Sequence, residues 1–215
     1  MKSIIFANGE LGAQSIAAKL AAQAELIIAV DGGIRHCEQL NIQPHVLLGD
    51  LDSALNHLVD KAIADGVSLQ RHPKDKDKTD LELALDLACS LRATTVSLFG
   101  ALGGRWDMSL ANLLLPAAMA YKNLRVTLYD DQTRIDLLRD NEHLELTASV
   151  GSRVSLLPID GQVEGVTLTG FQYPLTNHTL SFASTRGISN VLVEDRGSIS
   201  LEKGLLLSIL TDFKA

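Results

Sequence analysis

The chain has 215 residues, 46% hydrophobic and 21% charged, with a net charge of −7 and only 4% aromatics. That balance suits one large or two small globular domains with a sizeable core. The acidic charge leaves no basic footprint for nucleic acid, and the aromatics are too few for a base-stacking platform, so no nucleic-acid partner is expected.

In chain order, one lysine precedes the apolar run Ile4-Ile5-Phe6-Ala7. That run is too short for a signal-peptide core. No later run reaches the ~20 apolar residues of a membrane helix. The expectation is a soluble, cytoplasmic protein without a membrane partner. Further strand-like runs follow at residues 26–30, 46–48, 96–99 and 126–129. Helical patterns fill the gaps at about 11–24, 34–40, 54–64, 81–91 and 108–121. Cys37 and Cys89 fall in such helical stretches without metal spacing and read as free thiols. Continuous apolar strands separated by helices argue for an α/β domain with a parallel sheet covered on both faces.

Glycine and aspartate collect where these strands end: Asn8-Gly9, Asp31-Gly32-Gly33, Gly49-Asp50, Gly100 with Gly103-Gly104, and Asp130-Asp131. Turn chemistry places such residues at any one strand end. Repeated along one sheet edge, they mark the edge where open α/β sheets bind ligands. After about residue 138 the texture changes to short strand-like runs such as RVSLLPI, VTLTG and SISLE, separated by Gly, Pro, Asn and Asp. This reads as a small all-β sandwich. The expected domains are residues 1–138 and 139–215.

Three stretches carry chemistry. In HVLLGDLDSA, residues 45–54, an apolar strand stops at a glycine and two acids, Asp50 and Asp52. A turn leading to a helix cap at Ser53 is the structural reading, and a divalent-metal site the functional one. In KDKDKTDLELALDLA, residues 74–88, Thr79 and Glu82 make a T-x-x-E capping box with Asp80 as the first helical residue. The cap does not require Asp75, Asp77 and Asp80 to crowd one loop, which suggests a cation, or screening by the intervening lysines. In FGALGGRWDMSLANLLLPA, residues 99–117, a glycine-rich turn leads from strand to helix and offers backbone N–H groups to phosphate. It lacks the G-x-x-x-x-G-K-[ST] of a P-loop. Arg105 reads as a phosphate grip or a surface ion pair, and Trp106 as packing. Ser184, Thr185, Ser189 and Asn190 line a polar pocket or form a hydroxyl-rich turn. The six histidines show no ligand spacing.

Taken together, DGG (31–33), GDLDS (49–53), DKTDLELAL (77–85), GALGGRWD (100–107), VSLLPI (154–159) and YPLTNHTLSFASTRGISN (173–190) resemble the thiamine pyrophosphokinase family over essentially the whole chain. The resemblance implies an α/β ATP-binding domain, a C-terminal β-sandwich for thiamine and dimerisation, and a homodimer with active sites between subunits. It implies transfer of pyrophosphate from ATP to the hydroxyl of thiamine, giving thiamine diphosphate and AMP. By motif, Asp50, Asp52 and Asp80 look like Mg²⁺ ligands, and Asp31 like a fourth catalytic acid. Asp31, Gly32, Gly33, Thr79, Gly103, Gly104, Arg105 and Asp107 look like ATP contacts. Asp77, Ser184, Thr185, Ser189 and Asn190 look like the thiamine side. Residues i and i+2 of an extended segment point the same way, so Asp50 and Asp52 are expected to converge on one cation. Two departures stand out. Met108 occupies a position that is often His in the family, and Val191 and Leu192 follow Asn190 where eukaryotic members carry an aromatic. A pyrophosphokinase for another hydroxyalkyl heterocycle, such as a pterin, and a non-catalytic thiamine or nucleotide sensor are the competing readings.

Overall fold

Ser3–Phe6 are buried without alternation inside the strand Lys2–Phe6 (β1), as a strand covered on both faces requires. The computed structural model describes residues 1–211 of the chain. It divides into two compact units, Met1–Asp131 and Gln132–Ala215.

In the first unit, β1 is joined by Leu26–Val30 (β2), Val46–Gly49 (β3), Ser68–Arg71 (β4), Thr95–Phe99 (β5) and Arg125–Asp130 (β6). The strand order is β4-β3-β2-β1-β5-β6, and neighbouring strands pair in parallel. Helices Gln14–Ala21 (α1), Ile34–Gln39 (α2), Asn56–Ala64 (α3), Asp80–Ser90 (α4) and Trp106–Leu114 (α5) connect them. Phe6, Ile28, Leu47, Leu48, Leu85, Leu98, Phe99 and Leu128 fill the core. The chain builds outward from β1 in one direction and then returns to add β5 on its other side. The crevice between β1 and β5 is the reversal point at which such sheets hold ligands.

One strand was not foreseen and three local expectations change. β4 carried no apolar signal because it is an edge strand with no fully buried residue. The helix expected over 108–121 stops at Leu114 and gives way to 3₁₀ turns, because Pro116 cannot continue an α-helical hydrogen-bond ladder. Ser53 caps nothing, since α3 starts at Asn56 after Leu55. Trp106 is 89% exposed and not packed.

The second unit contains two antiparallel sheets. One is ordered Thr133–Leu138 (β7), Leu206–Thr211 (β14), Arg153–Pro158 (β9) and Asn190–Val191 (β12). The other is ordered Leu175–Leu180 (β11), Val163–Thr169 (β10), Arg196–Ser200 (β13) and His143–Thr147 (β8). Alternating residues of both sheets, including Leu138, Leu144, Leu146, Val154, Leu156, Val166 and Ile199, share one core. Sequence texture placed the division at residue 138. The structural division falls earlier because β7 pairs along its length with β14.

Candidate active site

A cleft of about 500 Å³ opens at the carboxyl ends of β1, β2, β3 and β5 in the first unit. Asp31, Asp50, Thr79, Asp80, Gly103, Gly104 and Arg105 all line it. So do residues that sequence reasoning had not assigned: Asn8, Lys74, Lys76, Lys78, Met108 and Asn112.

Asp31 ends β2 in a left-handed conformation, φ 48°. Its Oδ1 accepts the Leu51 N–H at 3.0 Å. Gly49 explains the glycine before the two acids. Its φ is 142°, and a Cβ there would collide with Asp31 Oδ1. Burial pushes Asp31 up to about 6, the Leu51 hydrogen bond opposes this, and the charges of Asp80 and Asp50 add to it. Three carboxyls therefore meet in one partly desolvated space.

Asp80 starts α4. Thr79 caps the helix by accepting the Glu82 N–H at 3.2 Å. Glu82 does not complete a reciprocal box; its carboxylate meets Lys78 Nζ at 3.4 Å. Lys76 Nζ lies 3.1 Å from Asp80 Oδ1, with 14% and 16% of the two side chains exposed. That ammonium donates to the Pro73 carbonyl at 2.9 Å, and Asp80 Oδ1 stays buried without an aligned donor. An acceptor in that condition suits a cation.

Asp52 departs from expectation. Leu51 has φ 64°, so the segment is not extended and the i, i+2 argument fails. The Asp52 N–H instead folds back to Asp50 Oδ1 at 2.9 Å. The Asp52 carboxylate is exposed and paired with Lys74 at 2.8 Å, which holds it below the usual carboxylate range. Among the described residues, no three His, Cys, Asp or Glu side chains form a ready metal cage. Mg²⁺ does not need one, since it commonly takes one or two carboxylates together with phosphates and water.

The glycine turn behaves as its sequence suggests. Gly103 and Gly104 have φ 87° and 65° and open space where a Cβ would be, so conformation selects glycine there. Arg105 forms a bidentate pair with Asp107 in which both side chains are exposed, and only Arg105 reaches the cleft. Gly32 and Gly33 are buried under Asn8 Oδ1 and the Phe6 carbonyl and do not line the cleft. Asp77 is exposed and does not line it.

The second unit has its own cleft of about 420 Å³, lined by residues including Tyr173, Pro174, Arg186, Ile188 and Asn190. Asn190 is spent on backbone: its Oδ1 accepts from Tyr173 N at 3.0 Å and Val191 N at 2.9 Å, and its Nδ2 donates to the Tyr173 carbonyl at 2.8 Å. Ser184, Thr185 and Ser189 do not line this cleft. Ser184 Oγ accepts the Arg186 N–H, and Ser189 N–H donates to Ser155 Oγ.

Comparison with known proteins follows the same division. A family model described as thiamin pyrophosphokinase, catalytic domain, matches residues 17–128, and one described as thiamin pyrophosphokinase, vitamin B1 binding domain, matches residues 138–206. The chain is 34% identical over 185 residues to thiamine pyrophosphokinase of Bacillus subtilis strain 168, covering 86% of each. The crystal structure of thiamine pyrophosphokinase from Bacillus subtilis superposes with a TM-score of 0.85 at 30% identity, covering 98% of this chain and 99% of that one. That of thiamin pyrophosphokinase from Geobacillus thermodenitrificans gives 0.81 at 30% identity, covering 98% and 97%. With both family models matched in order and a relative this similar over most of its length, the chain belongs to the thiamin pyrophosphokinase family.

Proposed function

We propose that the protein transfers pyrophosphate from ATP to the hydroxyl of thiamine, releasing AMP and thiamine diphosphate. The observation that carries this reading is the cleft in which Asp31, Asp50 and Asp80 face Lys74, Lys76 and Lys78. Such a site has acids for a divalent cation and ammonium groups for phosphates. Asp80 Oδ1, buried with only the Lys76 ammonium at 3.1 Å, and Asp31, raised by burial and then by the charges of Asp80 and Asp50, fit a cation between them.

Asp50 and Asp80 would hold Mg²⁺. Asp52 would join them if its exposed pair with Lys74 opened. The chemistry an ion held there would supply is neutralisation of charge on the transferring phosphates. The lysines and Arg105 add positive charge around the chain of phosphates, and the Gly103-Gly104 turn lets backbone approach closely. Asp31 holds one oxygen on Leu51 and keeps Oδ2 to accept the proton of the attacking hydroxyl. Burial raises this carboxyl above an ordinary aspartate, toward the range in which a base works at neutral pH. The second unit provides the thiamine side, with Asn190 shaping its cleft through the backbone at Tyr173.

The working form is a homodimer in the cytoplasm. Among the described residues, no helix is long and apolar enough to cross a membrane. The decisive experiment uses ATP labelled at both β and γ positions, with Mg²⁺ and thiamine. Both labels pass to thiamine, and AMP forms one-for-one. ADP as the main product would sink the reading, and thiamine binding without AMP would support a sensor.

A further inference from the structure

Four acceptors converge on one guanidinium. Arg35, on α2, donates through Nη1 to Asn8 Oδ1 and to the Gly32 carbonyl at 3.3 Å. Through Nη2 it donates to the carbonyls of Asn8 at 2.6 Å and Gly9 at 2.8 Å. These acceptors belong to the ends of β1 and β2, and Asn8, Gly9 and Asp31 all line the cleft. The Gly9 peptide is held from further sides as well. Its N–H donates to the Gly100 carbonyl at 2.7 Å, and its carbonyl meets His36 Nε2 at 2.8 Å.

A guanidinium can only donate, so the Asn8 atom facing it must be the oxygen. The amide's orientation is therefore decided by chemistry. Asn8 Nδ2, with two N–H donors, meets no protein acceptor among the described residues. A side chain at Gly32 would collide with Asn8 Oδ1, so the carboxamide lies directly on that glycine. Arg35 itself does not line the cleft. Lysine would not replace it, because a compact ammonium lacks the planar fork that reaches four oxygens on two loops.

We propose that Asn8 is a nucleotide contact and Arg35 its positioning residue. Arg35 fixes the Asn8 carboxamide so that Nδ2 donates to an oxygen of the nucleotide in the cleft. The proposal rests on the reading of this cleft as the ATP site.

The test measures Mg-ATP affinity by calorimetry on the full chain, with melting temperature alongside. Asn8→Asp keeps the shape and the oxygen for Arg35 but replaces the Nδ2 donor with an acceptor. It is expected to weaken ATP binding at least about tenfold, the scale of a hydrogen bond with a charged partner, without lowering the melting temperature. Arg35→Met is expected to lose a similar factor and Arg35→Lys to recover only part of it. The double variant N8D/R35M is expected to be no weaker than the worse single one, because both changes remove the same contact. Asn8→Asp binding ATP within about twofold of wild type would overturn the proposal, as would losses that multiply in the double variant. A purely structural Arg35 would lower the melting temperature while the folded protein kept its ATP affinity, and that result also overturns it. If Arg35→Met does not fold, Asn8→Asp decides alone. Wild-type protein that binds no ATP overturns the cleft reading and the proposal together. Wild type that binds and turns over ATP, beside an unaffected Asn8→Asp, overturns the proposal only.

Discussion

The backbone N–H of Leu51 donates to Asp31 Oδ1 across 3.0 Å, fastening the end of β3 to the end of β2 through an acid that faces the cleft. The bond favours the charged carboxylate, yet burial and the neighbouring Asp80 and Asp50 outweigh it and leave Asp31 at about 6.

A pH signature follows from that balance. The folded value lies above the ~3.9 of an unfolded aspartate, so the folded chain binds more protons between these limits. The stability that Asp31 contributes is complete below the unfolded value and is lost as pH rises through about 6. Asp31→Asn keeps an oxygen for Leu51 and removes the charge. Without metal, the variant is expected to melt above wild type at neutral pH, with the gap closing near pH 4. A gap independent of pH would show that Asp31 is not the strained group.

Asp50→Asn and Asp80→Asn remove charge at the proposed cation site while preserving size. Each is expected to cut turnover at least ~100-fold, as loss of a major electrostatic contribution does. Circular dichroism should be unchanged, because neither side chain belongs to the hydrophobic core. Near-normal turnover at saturating Mg²⁺ in either variant would remove that residue from the metal site.

Thr79→Ala deletes the only side-chain cap of α4 that the Glu82 N–H receives. The expected loss is about 1 kcal/mol in urea unfolding, with Thr79→Ser close to wild type. An unchanged midpoint for the alanine variant would mean that the Lys78 pairs to Glu82 and Asp86 hold the first turn unaided.

Trp106, Leu110 and Leu114 recur every four residues along α5 and are 89%, 58% and 42% exposed. Apolar side chains in such a row suit an interface. Sedimentation at micromolar concentration is expected to give a dimer, and a fully active monomer would contradict it.

Much of this was legible in the residues, for identifiable reasons. β1, β2 and β3 announce themselves because burial on both faces demands near-continuous apolar runs, and β5 does so less, with Thr95 and Ser97 only half-buried. The loops after them carry the glycines and acids that line the cleft. β4 was silent because an edge strand needs no such run. The i, i+2 convergence of Asp50 and Asp52 fails because one left-handed residue, Leu51, turns the chain, and leucine gives no warning of that conformation. Lys74, Lys76 and Lys78 looked like screening for nearby acids. That they also face the cleft depends on how the loop folds. Arg35 and Asn8 were invisible together, since only the pairing of β1 with β2 brings position 35 to position 8. The C-terminal motif offered a polar pocket or a hydroxyl-rich turn, and the structure shows Asn190 bonded to the backbone around Tyr173.

The order of strands also sets a timetable for the growing chain. β1 pairs with β2 on one edge and with β5 on the other. As the polypeptide leaves the ribosome, the second edge of the Lys2–Phe6 strand stays bare until Thr95–Phe99 has been made. Nucleotide cannot shelter it meanwhile, because the Gly100–Arg105 wall of the cleft is made later still. An apolar edge waiting on so distant a partner is a site for misassociation between nascent chains. Translation speed over residues 31–94, and the chaperones present during it, therefore bear on how long that edge stays open.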